Sequence, residues 1–193
     1  HIPATFFKVI EKGRDVVAYV GEKSDGVNGR DSIVLQGHVI GGGSSVNAML
    51  YIRGHANDYN HWAQLGNKGW SYEDVLPVFR DLETNETLAG EYHGQDGELK
   101  VSEPRFKHPL CQAFVKAAQE TGLPYNPDFN GAEQEGAGNY QMTIRNARRN
   151  STARAFLRPA LRRPGVRLLC GALASQILFE GRRASGVRAF ALE

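Results

Sequence analysis

The densest run of chemistry-bearing residues is Gly37-His-Val-Ile-Gly-Gly-Gly-Ser-Ser-Val-Asn47. Three successive glycines, Gly41 to Gly43, let the backbone take positive φ and approach a ligand with no Cβ in the way. From Ser44 to Leu50 small capping residues give way to good helix formers, which predicts a loop feeding a helix N-terminus. The first amides of a helix have no partner inside it, and such an end binds anions. The hydroxyls of Ser44 and Ser45 and the amide of Asn47 add donors, so a pyrophosphate is a natural guest. A glycine run before a helix is also an ordinary turn, and alone it does not single out a ligand.

Other groupings carry reactive or charged atoms. His55, Asp58 and His61 have metal-ligating side chains, but their spacing of three and three spreads them around a helix, which favours surface or local packing over a metal site. Ser44 or Ser45 as a nucleophile would need a base and an orienting partner, and the GxSxG elbow is absent. Between Met142 and Cys170 stand eight arginines (145, 148, 149, 154, 158, 162, 163 and 167) and no acidic residue. Such a cluster meets phosphate, on a nucleotide cofactor or on a nucleic acid. Ala153, Phe156, Leu157 and Leu161 interleave it and the rest of the chain is not basic. A half-buried, internal structural or cofactor-proximal role is therefore expected, with a phosphate- or nucleic-acid-binding module as the alternative. Cys111 and Cys170 lie far apart with no CxxC spacing and read as buried thiols, not as a disulfide or zinc pair.

Several elements must position these groups. Residues 1–40 read as a connecting arm with turn signals at Gly26, Asn28 and Gly29 and a β-like run at 32–35. Asn57 is expected to cap a short helix carrying Tyr59 and Trp62, and Ser71 with Asp74 to cap a helix over 72–82, where Val75, Leu76, Phe79 and Leu82 share a face despite Pro77. Pro109 suits the first turn of a further helix that Gly122 ends. A turn-rich loop follows over 123–138, holding Pro124, Asn126, Pro127, Asn130 and Gly131. Asn150 or Ser151 should cap a helix running towards Pro159. Three β-prone runs, 166–170, 174–179 and 184–190, close the chain, the last two as a hairpin around Gly181.

The 193 residues are 41% hydrophobic and 23% charged with a net charge of +2, an ordinary globular balance. No run of 18 apolar residues or signal-peptide pattern is present, so a cytoplasmic or at most membrane-peripheral location is expected. The chain opens at His1 without an initiator methionine, which suggests an internal piece of a longer polypeptide.

Gly37 to Trp62, with Tyr51-Ile-Arg-Gly-His55 and Asp58-Tyr-Asn-His-Trp62 after the glycine run, resembles the first signature of the glucose-methanol-choline (GMC) oxidoreductases, best matched by choline-dehydrogenase-like bacterial members. The likeness continues at Gly69-Trp-Ser-Tyr72, Val75-Leu-Pro-Val-Phe79, Asn150-Ser-Thr-Ala-Arg-Ala-Phe-Leu157, Ile177-Leu-Phe-Glu-Gly181 and Gly186-Val187. The resemblance implies an α/β fold: a partial FAD-binding domain from 1–68 and 144–193, and a helix-rich substrate-side insertion at 69–143. It also implies FAD-dependent oxidation of a primary alcohol to the aldehyde, with the alcohol as small-molecule partner, the electron acceptor open and no nucleic acid. Carried over, Gly42, Gly43 and Ser44 would line the cofactor's phosphates and Asn47, Ala48 and Leu50 its flavin end. Val39 and Met49 belong to the same contact set, and the backbone of Ala174 would bond the adenine.

Two departures from the family pattern matter. Gly43 lacks the hydroxyl or thiol usual there, and Val46 cannot form the covalent flavin bond some members make through histidine, so FAD should be dissociable. The family's GxGxxG strand should precede His1 and its catalytic histidine should lie beyond Glu193. No catalytic residue and no metal ligand is therefore expected in this chain, which by itself should be inactive, bind FAD weakly or not at all, and self-associate.

Overall fold

Capping chemistry sets the helical middle of the molecule. The computed structural model describes residues 6–13 and 15–191, so part of the 1–40 arm lies outside the described residues. The chain forms two units, His1–Arg158 and Pro159–Glu193.

In the first unit, α1 (Phe6–Glu11) precedes an antiparallel hairpin of β1 (Val16–Val20) and β2 (Ile33–Gly37), in which Val16 opposes Gly37 and Val20 opposes Ile33. The expected turn at Gly26, Asn28 and Gly29 is present, with Asn28 and Gly29 both at positive φ. Helix α2 (Ala56–Gln64) begins one residue before Asn57. Its cap is His55, whose Nδ1 accepts the Asn57 N–H at 3.1 Å while Asp58 Oδ2 accepts the His55 N–H at 2.9 Å. Asn57 donates to the cap and therefore cannot be it. Helix α3 (Tyr72–Leu82) has the Ser71/Asp74 capping box expected of it and runs through Pro77. Tyr59 of α2 packs on Tyr72 and Phe79 of α3, and Trp62 on Trp70.

The short parallel pair β3 (Glu83–Asn85) and β4 (Leu99–Val101) follows. Helix α4 (Pro109–Glu120) starts on Pro109 behind a His108 cap, and Gly122 at φ +96° ends it. α4 buries none of its residues, so Cys111 is exposed, contrary to the reading from sequence; Cys170 in the second unit is exposed too. Strands β5 (Ile144–Arg145) and β6 (Arg148–Arg149) form a tight hairpin with Asn146 and Ala147 both at positive φ. A π-helical turn, Ala153–Leu157, comes next. Neither the Asn150 nor the Ser151 side chain caps it; the Thr152 N–H is bound by Ser44 Oγ at 3.0 Å.

The second unit is dominated by one antiparallel hairpin, β7 (Ala172–Glu180) with β8 (Arg183–Ala191), turning at Gly181 with φ +61°. The 166–170 run is not a strand. A β-prone run becomes one only when its amides and carbonyls find a neighbour, and β7 and β8 have each other. No helix among the described residues is long and apolar enough to cross a membrane.

The glycine run does not feed an α-helix. Gly42–Ser45 is a four-residue 3₁₀ turn, and the chain leaves it through a turn at Val46 and a bend at Asn47 towards Leu50, which pairs with Met142. The helix predicted over 44–50 is lost because Asn47 Oδ1 accepts the Met49 N–H at 3.0 Å, a local bond that competes with helix and holds Met49 at φ +66°.

Candidate cofactor-binding site

The glycines of the run fall into two kinds. A Cβ on Gly37 would lie 2.5 Å from the Gly42 carbonyl oxygen, and one on Gly41 would lie 2.4 Å from Ser45 Oγ and 3.0 Å from Ala153 Cβ. These positions are closed by the protein itself. A Cβ on Gly42 or Gly43 meets nothing within 4 Å. The inner glycines permit the turn, and the outer two present bare backbone to open space.

The side chains expected to offer donors bond within the protein, although Ser44 and Ser45 are only half-buried and Asn47 is exposed. Ser44 Oγ donates to the Gly41 carbonyl at 2.6 Å and lies 3.0 Å from Thr152 Oγ1, and Ser45 Oγ donates to the Ile40 carbonyl at 2.8 Å. Asn47 Oδ1 accepts from Met49 and from Arg149 Nη1, the latter at 2.8 Å. These groups shape the turn and leave ligand contact to its backbone. Met49 is buried at 2% exposure, with its carbonyl accepting the Thr143 N–H at 2.9 Å. Val39 and Leu50 are exposed, and Ala48 is half-buried. Ala174 belongs to the second unit, opposite Ala189 in its hairpin.

Beside the turn lies a cleft of ≈ 520 Å³ with Val39, Ile40 and Val46 on one side and Arg148, Arg154 and Arg158 around it, together with Asp15. The arginine cluster is thus divided: these three reach the cleft, whereas Arg149 is buried at 4% exposure and donates to Ser44 O at 3.1 Å as well as to Asn47. Burial pushes the Arg149 guanidinium down from its usual pKa.

Sequence reasoning missed a buried polar network that holds the middle of this unit. Arg53 pairs with Glu83, Glu83 Oε1 lies 3.0 Å from His93 Nδ1, and His93 Nε2 lies 2.8 Å from Asp128 Oδ2. Burial opposes protonation of His93. Its hydrogen bonds to Asp128 and Glu83 and their charges overcome this and raise the pKa to about 9. Against desolvation, which would raise it, His93 and the Asn130 N–H hold Asp128 below the ordinary carboxylate value. The four charges alternate in sign and cancel, which is how such a group survives burial. Asn85 joins Glu83 to Gln141, and Asn130 accepts the Arg53 N–H at 2.7 Å while donating to the Tyr51 carbonyl at 3.1 Å. Its donors and acceptors are spent on one another, so it is a frame and not a reaction centre. The visible signal was weak: Arg53 and Asn130 stood in the motif and the turn-rich loop, but nothing in their spacing pointed to Glu83 or His93.

His55 and Asp58 form the α2 cap, and among the described residues no group of three His, Cys, Asp or Glu is placed to hold a metal ion.

The family description "GMC oxidoreductase" matches residues 8–193. The chain belongs to the GMC oxidoreductase family. It is 44% identical over 187 residues to mitochondrial choline dehydrogenase of Mus musculus, covering 97% of this chain and 31% of that protein. It is 45% identical over 161 residues to oxygen-dependent choline dehydrogenase of Brucella anthropi, covering 83% of the chain and 29% of the relative. This GMC chain therefore spans about a third of the length of the curated relatives it matches. Among solved structures, pyridoxine 4-oxidase from Mesorbium loti superposes with a TM-score of 0.85 at 30% identity, over 99% of this chain and 40% of that one. An FAD-dependent oxidoreductase from Chaetomium thermophilum gives 0.80 at 32% identity, over 90% and 32%. The α/β character expected of the GMC fold is what the described helices and strands show.

Proposed function

We propose that this chain contributes part of the flavin cradle of an FAD-dependent enzyme that oxidises a primary alcohol to the aldehyde, with choline-like alcohols favoured over aromatic or aliphatic ones by the choline dehydrogenases at 44–45% identity. The observation that carries the reading is the split among the glycines: Gly42 and Gly43 leave bare backbone facing open space while Gly37 and Gly41 are closed by the protein. The donor set fits a diphosphate-bearing cofactor, because Arg148, Arg154 and Arg158 reach the adjoining cleft and bring cationic, multiply donating groups to it.

In this reading Val39, Gly42, Gly43, Ser44, Asn47, Ala48, Met49 and Leu50 form the cofactor-facing loop, and the Ala174 backbone is assigned to the adenine. Segments 1–68 and 144–193 belong to the flavin domain and 69–143 to the substrate side. FAD, when bound, supplies the acceptor for the alcohol's hydride. This chain's own residues bind and orient: the loop offers backbone, Ser44 and Asn47 hold its shape, and Val46 provides no nucleophile for a covalent link, so the flavin is dissociable. No group of this chain is assigned the proton of the alcohol.

The nucleic-acid alternative is not favoured. Arg149 is spent inside the fold on Ser44 and Asn47, which breaks the basic cluster as a continuous surface.

The test is to purify the full-length protein and record its visible spectrum before and after adding choline, a benzylic alcohol or an aliphatic alcohol without oxygen. A yellow protein bleached by choline is expected, and acid precipitation should release its flavin into the supernatant. A protein that stays colourless with FAD supplied defeats the flavin assignment.

A further inference from the structure

Arg149 stands apart from the other arginines of its cluster. It is buried, and no ion pair joins it to a carboxylate among the described residues. Removing a guanidinium from water without an anionic partner is costly, and such a group persists where its position is needed. Its Nη1 reaches the Ser44 carbonyl near the C-terminal end of the 3₁₀ turn and Asn47 Oδ1 just beyond that end. Asn47 in turn holds the Met49 amide, so a single nitrogen sets the course of the backbone from the open glycines to Leu50. The β5–β6 hairpin places Arg149 there, and the neighbouring Thr143 and Thr152 grip the same segment through the Met49 carbonyl and Ser44 Oγ.

We propose that Arg149 is a positioning residue for the cofactor: it fixes the 43–50 backbone against the flavin and supplies that loop's permanent positive charge. The inference rests on the flavin reading above and deepens it. A lysine could bring the charge but would replace a planar fork with a point donor. Because a flavin gains electrons on reduction, a fixed positive charge nearby in a low dielectric favours that reduction.

The experiment uses the full-length protein and reads FAD affinity, by reconstitution of the apoprotein, and the midpoint potential of the bound flavin. Arg149→Gln should weaken FAD binding roughly tenfold or more, as expected for losing charge-assisted hydrogen bonds, and shift the potential negative. Arg149→Lys should recover the potential while recovering affinity only in part, a split that a purely structural role would not produce. Should Arg149→Gln fail to fold, Arg149→Lys decides: it keeps the positive charge but not the guanidinium, and is expected to hold the wild-type potential while weakening FAD affinity severalfold. Wild-type affinity in Arg149→Lys, or wild-type affinity and potential in Arg149→Gln, overturns the proposal. A wild-type protein that takes up no FAD overturns the flavin reading itself and this inference with it, whereas a yellow wild type with an unaffected Arg149→Gln sinks this inference alone.

Discussion

Gly41 and Gly43 are two positions apart and have opposite requirements. Gly41 sits at φ +92° with Ser45 Oγ and Ala153 where a Cβ would go, whereas Gly43 has an ordinary φ and empty space around it. Gly41→Ala should cost at least about 1–2 kcal/mol from the left-handed backbone alone and release FAD from the full-length protein. Gly43→Ser should leave the melting temperature within the small range of surface substitutions and retain FAD. Equal damage from both, read by thermal melts and flavin absorbance, would contradict the division into closed and open glycines.

A second prediction at the residue scale concerns pH. His93 has its folded pKa raised from 6.5 to about 9, so its contribution is fully present below about pH 6.5 and is lost as pH rises through 9. The difference corresponds to at most about 3 kcal/mol, shared with Glu83 and Asp128 and not to be added to theirs. The melting temperature of the full-length protein should fall between pH 7 and 10, and His93→Gln should lower it at pH 6 and flatten that slope. The depressed carboxyl of Asp128 works at the other end: its contribution is present above its ordinary pKa and lost as pH falls through the lowered one. An identical pH profile in His93→Gln would show that the imidazole carries no charge in the folded state.

At the scale of elements, the β5–β6 hairpin combines a functional position with a local defect. Its two-residue turn puts Asn146 at φ +51° and Ala147 at φ +57°. Asn tolerates that region and Ala does not, so Ala147→Gly is expected to stabilise the protein by about 1 kcal/mol. Calorimetry on the full-length protein checks it, and a lower melting temperature would count against it. The turn matters beyond its own strands because it delivers Arg149 to the glycine turn. The helices are more self-sufficient: α3 and α4 are bounded by Ser71, Asp74, His108, Pro109 and Gly122, each within a few residues of the end it defines.

At the scale of the whole molecule, the first unit has a polar interior and apolar faces open to solvent. Arg53, Glu83, Asn85 and His93 are buried, while Phe106, Leu110 and Phe114 are 73–75% exposed. The hairpin of the second unit exposes Leu173, Ile177, Phe179, Val187 and Phe190. Contiguous apolar surface of this kind is rare on monomers. A polypeptide of these 193 residues alone is expected to self-associate, with apparent mass rising with concentration in light-scattering chromatography. A constant monomeric mass would refute that.

What the sequence determined by itself was what short range decides. The α3 capping box, the Pro109 start and Gly122 stop of α4, the β7–β8 hairpin around Gly181 and the family signature all rest on residues a few positions apart. His55 displaced Asn57 as the α2 cap because the helix starts at Ala56 and the Asn57 amide is itself the donor that the His55 ring accepts. The tertiary structure alone decided which distant groups meet: Arg53 with Glu83, 30 positions on, and Asn47 with Arg149, 102 positions on. It also decided that Ser44, Ser45 and Asn47 are hydrogen-bonded within the protein, since a hydroxyl or amide serves a ligand or the backbone equally well by composition. Only the packed chain shows which acceptor is within reach.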